Sequence, residues 1–224
     1  MGTFRKEPVW KQRAVERSIR TAKLRAEQRV QECLEAARAL IVEKGNTDFT
    51  VQEVVDRSGQ SLRTFYLQFS GKHELLLALY EDALAQLADQ IHAAAAVHTD
   101  PLQQLRAGCH ELFELSRPDA TPIRPLLTEF ATQLLVTHPA EVQLAHTPLV
   151  ALFTELIEKV GAAHRLRTEV NADRTATLMT QMVLFLAQSI GSNDDLPGRP
   201  ITAEEVWTFC AFGFADDGPA AGTA

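Results

Sequence analysis

Residues 50–69 hold two helix starts separated by one forced turn, and that spacing constrains the chain more than any other feature in it. Thr50 sits where an N-cap belongs, and Glu53 three residues on completes a capping box. Val51, Val54 and Val55 then form the buried face of a short helix. Ser58-Gly59 ends it, because Gly59 can take the positive φ of a tight helix exit. Ser61 is the next N-cap, and Phe65 and Phe69 lie four apart on one face of a second short helix. The stretch therefore reads as a helix-turn-helix, followed at once by the start of a longer helix.

The outward residues of the second helix are Arg63, Thr64, Tyr66 and Gln68. They offer a fork donor, a hydroxyl, a phenol and an amide, all able to bond phosphates or base edges. Ser70 is placed to cap the third helix, with Lys72 in its first turn. A cation there opposes the helix dipole, which favours a role outside the helix such as holding a DNA phosphate; a solvated lysine is the alternative.

Residues 27–87, including CLEAARALIVEKG, FTVQEVVDRSGQSLRTFYLQF and GKHELLLALYE, resemble the DNA-binding domain of the tetracycline-repressor (TetR) family of one-component transcriptional regulators. The family commonly carries Val or Ile where this chain has Gln60, Gly or Ala at Arg63, and an acid at His73. The resemblance implies a recognition helix from about Leu62 to Gln68 entering the major groove of an operator. Arg63 would read bases there with Ser61, Leu62, Thr64 and Gln68 beside it, while Thr50, Tyr66 and Lys72 would hold phosphates.

Charge is divided in the same sense. Residues 1–72 contain 14 Lys and Arg against 9 Asp and Glu, whereas residues 73–224 contain 8 against 20, so a basic head precedes an acidic body within a net charge of −7. Residues 1–26 make a basic N-terminal arm, able to follow a phosphate backbone or enter a minor groove, or else to act as a disordered solubilising tail. A clear helix is expected from about Lys23 to Lys44, where Val30, Cys33, Leu34, Ala37, Leu40 and Ile41 recur at helical spacing before Gly45-Asn46.

Apolar residues keep that period almost throughout, so the fold class is all-α. A long helix runs from about Ser70 to His92, linking the head (27–87) to a helical effector-binding and dimerisation domain (88–215). In the body, helices are expected from Asp100-Pro101, over 123–136, over 140–163 with a kink or break at Pro148, from Asn171, and from the Thr202–Glu205 capping box. The tail, 216–224, reads as disordered. The last two helices resemble the pair through which TetR-family regulators dimerise as a four-helix bundle, and they are more apolar than one buried stripe requires.

Phe113, Phe130, Phe153, Met179, Met182 and Phe185 could line an apolar pocket for a small hydrophobic effector, with His110 and Gln181 as polar candidates; packing in the core is the alternative. Cys33, Cys109 and Cys210 form no CxxC pair, so no metal ribbon or disulfide framework is expected. No catalytic motif, metal site or cofactor signature is present, and no run approaches the length of a membrane helix. The expectation is a cytoplasmic, homodimeric, ligand-responsive repressor bound to a double-stranded operator. A ligand-independent regulator or activator is the alternative, and a helical enzyme the more distant one.

Overall fold

The computed structural model describes residues 9–117, 125–167, 169–190 and 201–214, and every regular element among them is helical. The loop expected after Arg117, the loop at 191–200 and the tail from Asp216 fall outside the described residues. The head comprises α1 (Val9–Lys44), α2 (Val51–Ser58), α3 (Leu62–Tyr66) and the start of α4 (Lys72–Ala96). The body comprises α5 (Pro101–Leu115), a π-helical turn (Leu126–Phe130) running into α6 (Ala131–Thr137), α7 (Pro139–Ala145), α8 (Thr147–Ala162), α9 (Ala172–Ile190) and α10 (Ala203–Phe214).

The first helix starts at Val9 rather than near Lys23. Its added turns are rich in Arg and Ala, good helix formers, and carry Val15, Ile19 and Ala22 on the face that Ala26, Val30, Cys33 and Ala37 continue. Every described side chain from Trp10 to Arg25 is exposed. The apolar face of α1 thus extends beyond the part that packs in the core, and Val15 and Ile19 on it stand exposed.

Farther along, Cys33, Ala37 and Ile41 of α1 are buried with Phe49, Val54, Val55, Phe65, Phe69 and Leu75 in the head's core. The Phe65 and Phe69 ring centroids lie 5.4 Å apart. At α2, Glu53 N–H donates to Thr50 Oγ1 (3.2 Å) and Thr50 N–H donates to Glu53 Oε2 (2.8 Å), which is the expected capping box. Gly59 takes φ 67°, and Ser61 Oγ accepts from Thr64 N–H at 3.1 Å. Ser70 behaves otherwise than expected. Its N–H and hydroxyl both donate to the Glu74 carboxylate (2.6 and 2.7 Å), so the side chain spends its proton outward and Gly71 takes the N-cap position of α4.

The body packs α5 and α8 along α4. The break at Pro148 is real: α7 ends at Ala145, and Pro148 lies in the first turn of α8, where its missing N–H costs no intrahelical bond. Asp100 caps α5 by accepting from Gln103 N–H at 3.0 Å, and Asn171 caps α9 by accepting from Arg174 N–H at 2.9 Å. Thr202 and Glu205 form the last capping box. Arg38 pairs with Asp82 at 2.7 Å, tying α1 to α4. Two cysteines far apart in sequence meet between α5 and α10: the buried Cys109 thiol hydrogen-bonds Cys210, which pushes Cys109 up and draws Cys210 down. Cys33 is a buried core residue, as its place on the apolar stripe implied.

Candidate nucleic-acid interface

The surface around α3 is built on two buried anchors. Phe65 and Phe69 face the core, which turns the intervening side chains outward. The helix is shorter than expected, ending at Tyr66, after which turn bonds such as Phe69 N–H to Phe65 O (2.9 Å) carry the chain to Phe69. Ser61, Leu62, Arg63 and Tyr66 are exposed, while Thr64 and Gln68 are half-buried. Tyr66 stands edge-on to Phe65 with centroids 5.4 Å apart, which restrains its ring.

Gln60, the polar residue in the turn, reaches back to α1, where its Nε2 donates to Arg29 O at 2.8 Å and to Glu32 Oε2 at 3.1 Å. The turn is thereby tied to the first helix by hydrogen bonds in place of an apolar contact. Leu67 is a residue the periodicity did not single out. It is 71 % exposed beside Tyr66, an apolar group of the kind that packs on a thymine methyl.

Two expected phosphate ligands have prior engagements. The Thr50 hydroxyl accepts within the capping box and donates to Glu53 Oε2 at 3.0 Å, so its proton is committed. Glu53 also pairs with Lys44 at 2.6 Å, and these bonds hold its carboxyl down at about 2. Lys72 lies in the first turn of α4, half-buried, with Nζ 4.8 Å from the Phe49 ring centroid. Its charge remains at the rim of the α3 surface, but a phosphate must draw it from the ring. From Val9 onward the basic arm is helical, and a helix about 10 Å wide does not fit a minor groove about 6 Å wide.

The residues expected to line an effector pocket are mostly packed into the core. Phe113, Phe130, Phe153 and Met179 are buried in the core, Met182 is partly buried, and Phe185 is exposed. His110 faces α10, its Nε2 2.9 Å from Glu204 Oε2 without hydrogen-bond geometry, and Arg106 bonds the same oxygen at 2.8 Å. A cavity of about 700 Å³ lies instead among α7, α8 and α9, lined by residues that include His146, Thr154, Glu155, Glu158, Asp173 and Thr177, with Gln181 alone of the expected polar candidates. Most of its lining residues are polar, with Val150 and Ala151 beside them.

A second exposed apolar surface occupies the last two helices. Leu178 and Phe185, two turns apart on α9, are each 70 % exposed, and Phe209 and Phe212 on α10 are 71 % and 57 % exposed. The opposite side of α10 is satisfied within the chain: Trp207, Ala211 and Phe214 are buried, with the Trp207 and Phe214 rings 6.0 Å apart. No helix among the described residues is long and apolar enough to cross a membrane.

Residues 34–79 match the model of the bacterial regulatory proteins, tetR family. The chain is 26 % identical over 179 residues to the uncharacterized HTH-type transcriptional regulator YvdT of Bacillus subtilis, covering 79 % of this chain and 90 % of that protein. It is 28 % identical over 148 residues to the HTH-type transcriptional activator FasR of Mycolicibacterium smegmatis, covering 65 % of this chain and 67 % of that protein. Among solved structures it resembles the fatty acid degradation regulator FadR of Bacillus halodurans, with a TM-score of 0.62 and 16 % identity over 81 % of this chain and 93 % of that one.

Proposed function

We infer that this chain, a DNA-binding transcriptional regulator of the tetR family and not an enzyme, acts in the cytoplasm as a homodimeric repressor whose grip on a pseudo-palindromic operator is relaxed by a small molecule. The observation that carries the reading is the α3 surface, where Arg63, Tyr66 and Leu67 are held outward by the buried Phe65 and Phe69. In a dimer, two such helices enter successive major grooves about 34 Å apart. Arg63 is the bidentate base reader, with Ser61, Leu62, Thr64 and Gln68 beside it. Tyr66, Lys72 and the cationic face of α1 contact phosphates, and Thr50 contributes chiefly by holding α2 in place.

Dimerisation is assigned to α9 and α10, since Leu178, Phe185, Phe209 and Phe212 leave an aromatic surface that a second copy would cover. The effector is assigned to the cavity among α7, α8 and α9. Glu155, Glu158, Asp173 and Thr177 on its wall, beside Val150 and Ala151, suit a molecule that pairs an apolar part with a hydrogen-bonding or cationic group. Release then requires that the effector bind the DNA-free arrangement more tightly than the DNA-bound one. An activator is the second reading, favoured by the 28 % identity to a protein named an activator.

Genomic fragments captured by the purified full chain, sequenced at two salt concentrations, test the reading. A short inverted repeat that persists at the higher salt supports it. Binding that is sequence-blind and collapses with salt would refute it, because phosphate contacts alone carry no sequence information.

A further inference from the structure

At the junction of head and body, three side chains from distant parts of the sequence converge. His73 lies in the first turn of α4, His138 in the corner between α6 and α7, and Glu141 in the first turn of α7. One ligand-capable atom from each lies within 4.8 Å of the other two. His73 Nε2 is 3.0 Å from Glu141 Oε2, and the two imidazole rings are 4.7 Å apart. Neither histidine is buried, so an ion reaches them from solvent. The Phe130 ring, 5.8 Å from that of His73, borders the cluster.

The outer shell prepares His138 for coordination. The Thr137 hydroxyl donates its one proton to Gln133 O at 2.8 Å, so at its 2.8 Å contact with His138 Nδ1 it can only accept. Nδ1 therefore carries the ring proton and Nε2 keeps its lone pair. That is the arrangement in which a metal-binding histidine is oriented by a second partner. Two imidazoles and one carboxylate make a borderline donor set with room for water, which suits Zn²⁺ and its first-row neighbours rather than Mg²⁺ or Ca²⁺.

We propose that His73, His138 and Glu141 bind one divalent transition-metal ion, which fastens the start of α4 to the α6–α7 corner. His73 directly follows Lys72 and lies four residues beyond Phe69, so an ion there acts on the base of the DNA-reading surface. Its consequence for DNA rests on the function proposed above; its formation does not. The binding step exchanges a solvated ion's waters for three protein ligands and involves no redox change.

The test is titration of the EDTA-dialysed full chain with Co²⁺, followed by competition with Zn²⁺. One ion per chain, with visible ligand-field bands, is expected, and His138→Ala and Glu141→Gln should each weaken uptake at least about tenfold. No saturable uptake, or affinity unchanged by both variants, would overturn the site. Circular dichroism and melting in EDTA establish that the variants fold, and His73→Gln replaces either one that does not. Zn²⁺ should then shift wild-type operator affinity at least about threefold and leave Glu141→Gln unmoved; an equal shift in both would overturn the coupling. A chain that takes up Co²⁺ with this variant pattern but never selects DNA would refute the regulator reading and leave the metal site standing.

Discussion

Among the surfaces that expose large apolar side chains, that of α3 and the turn after it and that of the last two helices differ in the company they keep. On α3, Leu62, Tyr66 and Leu67 alternate with Arg63, Thr64 and Gln68, so each apolar group stands beside a donor. On α9 and α10, Leu178, Phe185, Phe209 and Phe212 are flanked by little charge. The first arrangement suits a hydrated polyanion with methyl groups in its groove, and the second suits a dry contact with its own copy. Exposed apolar area alone separates neither; what is interleaved with it does.

The largest effect should come from the second surface. Phe209→Glu places a charge where the dimer contact is assigned, so sedimentation should show a monomer and operator affinity should fall about 10²- to 10⁴-fold as the two half-sites lose their linkage. A dimer that survives the substitution would move the interface elsewhere. Phe65→Ala should act on the first surface from beneath, costing about 3–5 kcal/mol of head stability in denaturant melts, since it empties the centre of a small core. If stability were unchanged, Phe65 would not be what orients α3.

Arg63→Ala should cost about 1–3 kcal/mol on the operator and little on random DNA, with folding intact. Equal losses on both would make Arg63 a phosphate contact. Lys72→Ala should weaken all DNA alike and reduce the salt slope by about one, and a loss confined to the operator would contradict that role.

The smallest effect separates body from head by pH. His146 is half-buried and shares a 2.8 Å hydrogen bond with the buried Tyr80; loss of water around them lowers the histidine and raises the phenol. Below the ordinary histidine value of about 6.5 the unfolded chain takes up a proton that folded His146 resists, so stability falls as pH drops from that point. Melting temperatures between pH 8 and 5 should decline less in His146→Gln than in the parent. Parallel curves would remove His146 from the acid sensitivity of the body.

Much of the head was legible because its signals are local. Thr50 with Glu53, Gly59, Ser61, and the Phe65–Phe69 spacing each act within one turn of chain, and all appear where the residues place them. The body helices were legible for the same reason, from Asp100, Pro148, Asn171 and the Thr202–Glu205 box. The early start of α1 escaped because Pro8 and the dense mixed charge obscured the spacing of Val15, Ile19 and Ala22. The cavity escaped because it lies among residues of α7, α8 and α9 that no spacing brings together, whereas Phe113 and Phe153, which drew attention, are what the core consumes.

What the sequence by itself determined was most of the helices, the caps at Thr50, Ser61, Asp100, Asn171 and Thr202, and the outward cluster on α3, because capping, turn geometry and burial of every third or fourth residue are enforced over a few residues. What only the tertiary structure decided was which distant groups meet: Gln60 with Arg29, His110 with Glu204, Cys109 with Cys210, and His73 with His138 and Glu141. Those pairings depend on helix crossing and on the rotation of each helix about its axis. Both are set by the summed packing of the core, which no local spacing encodes.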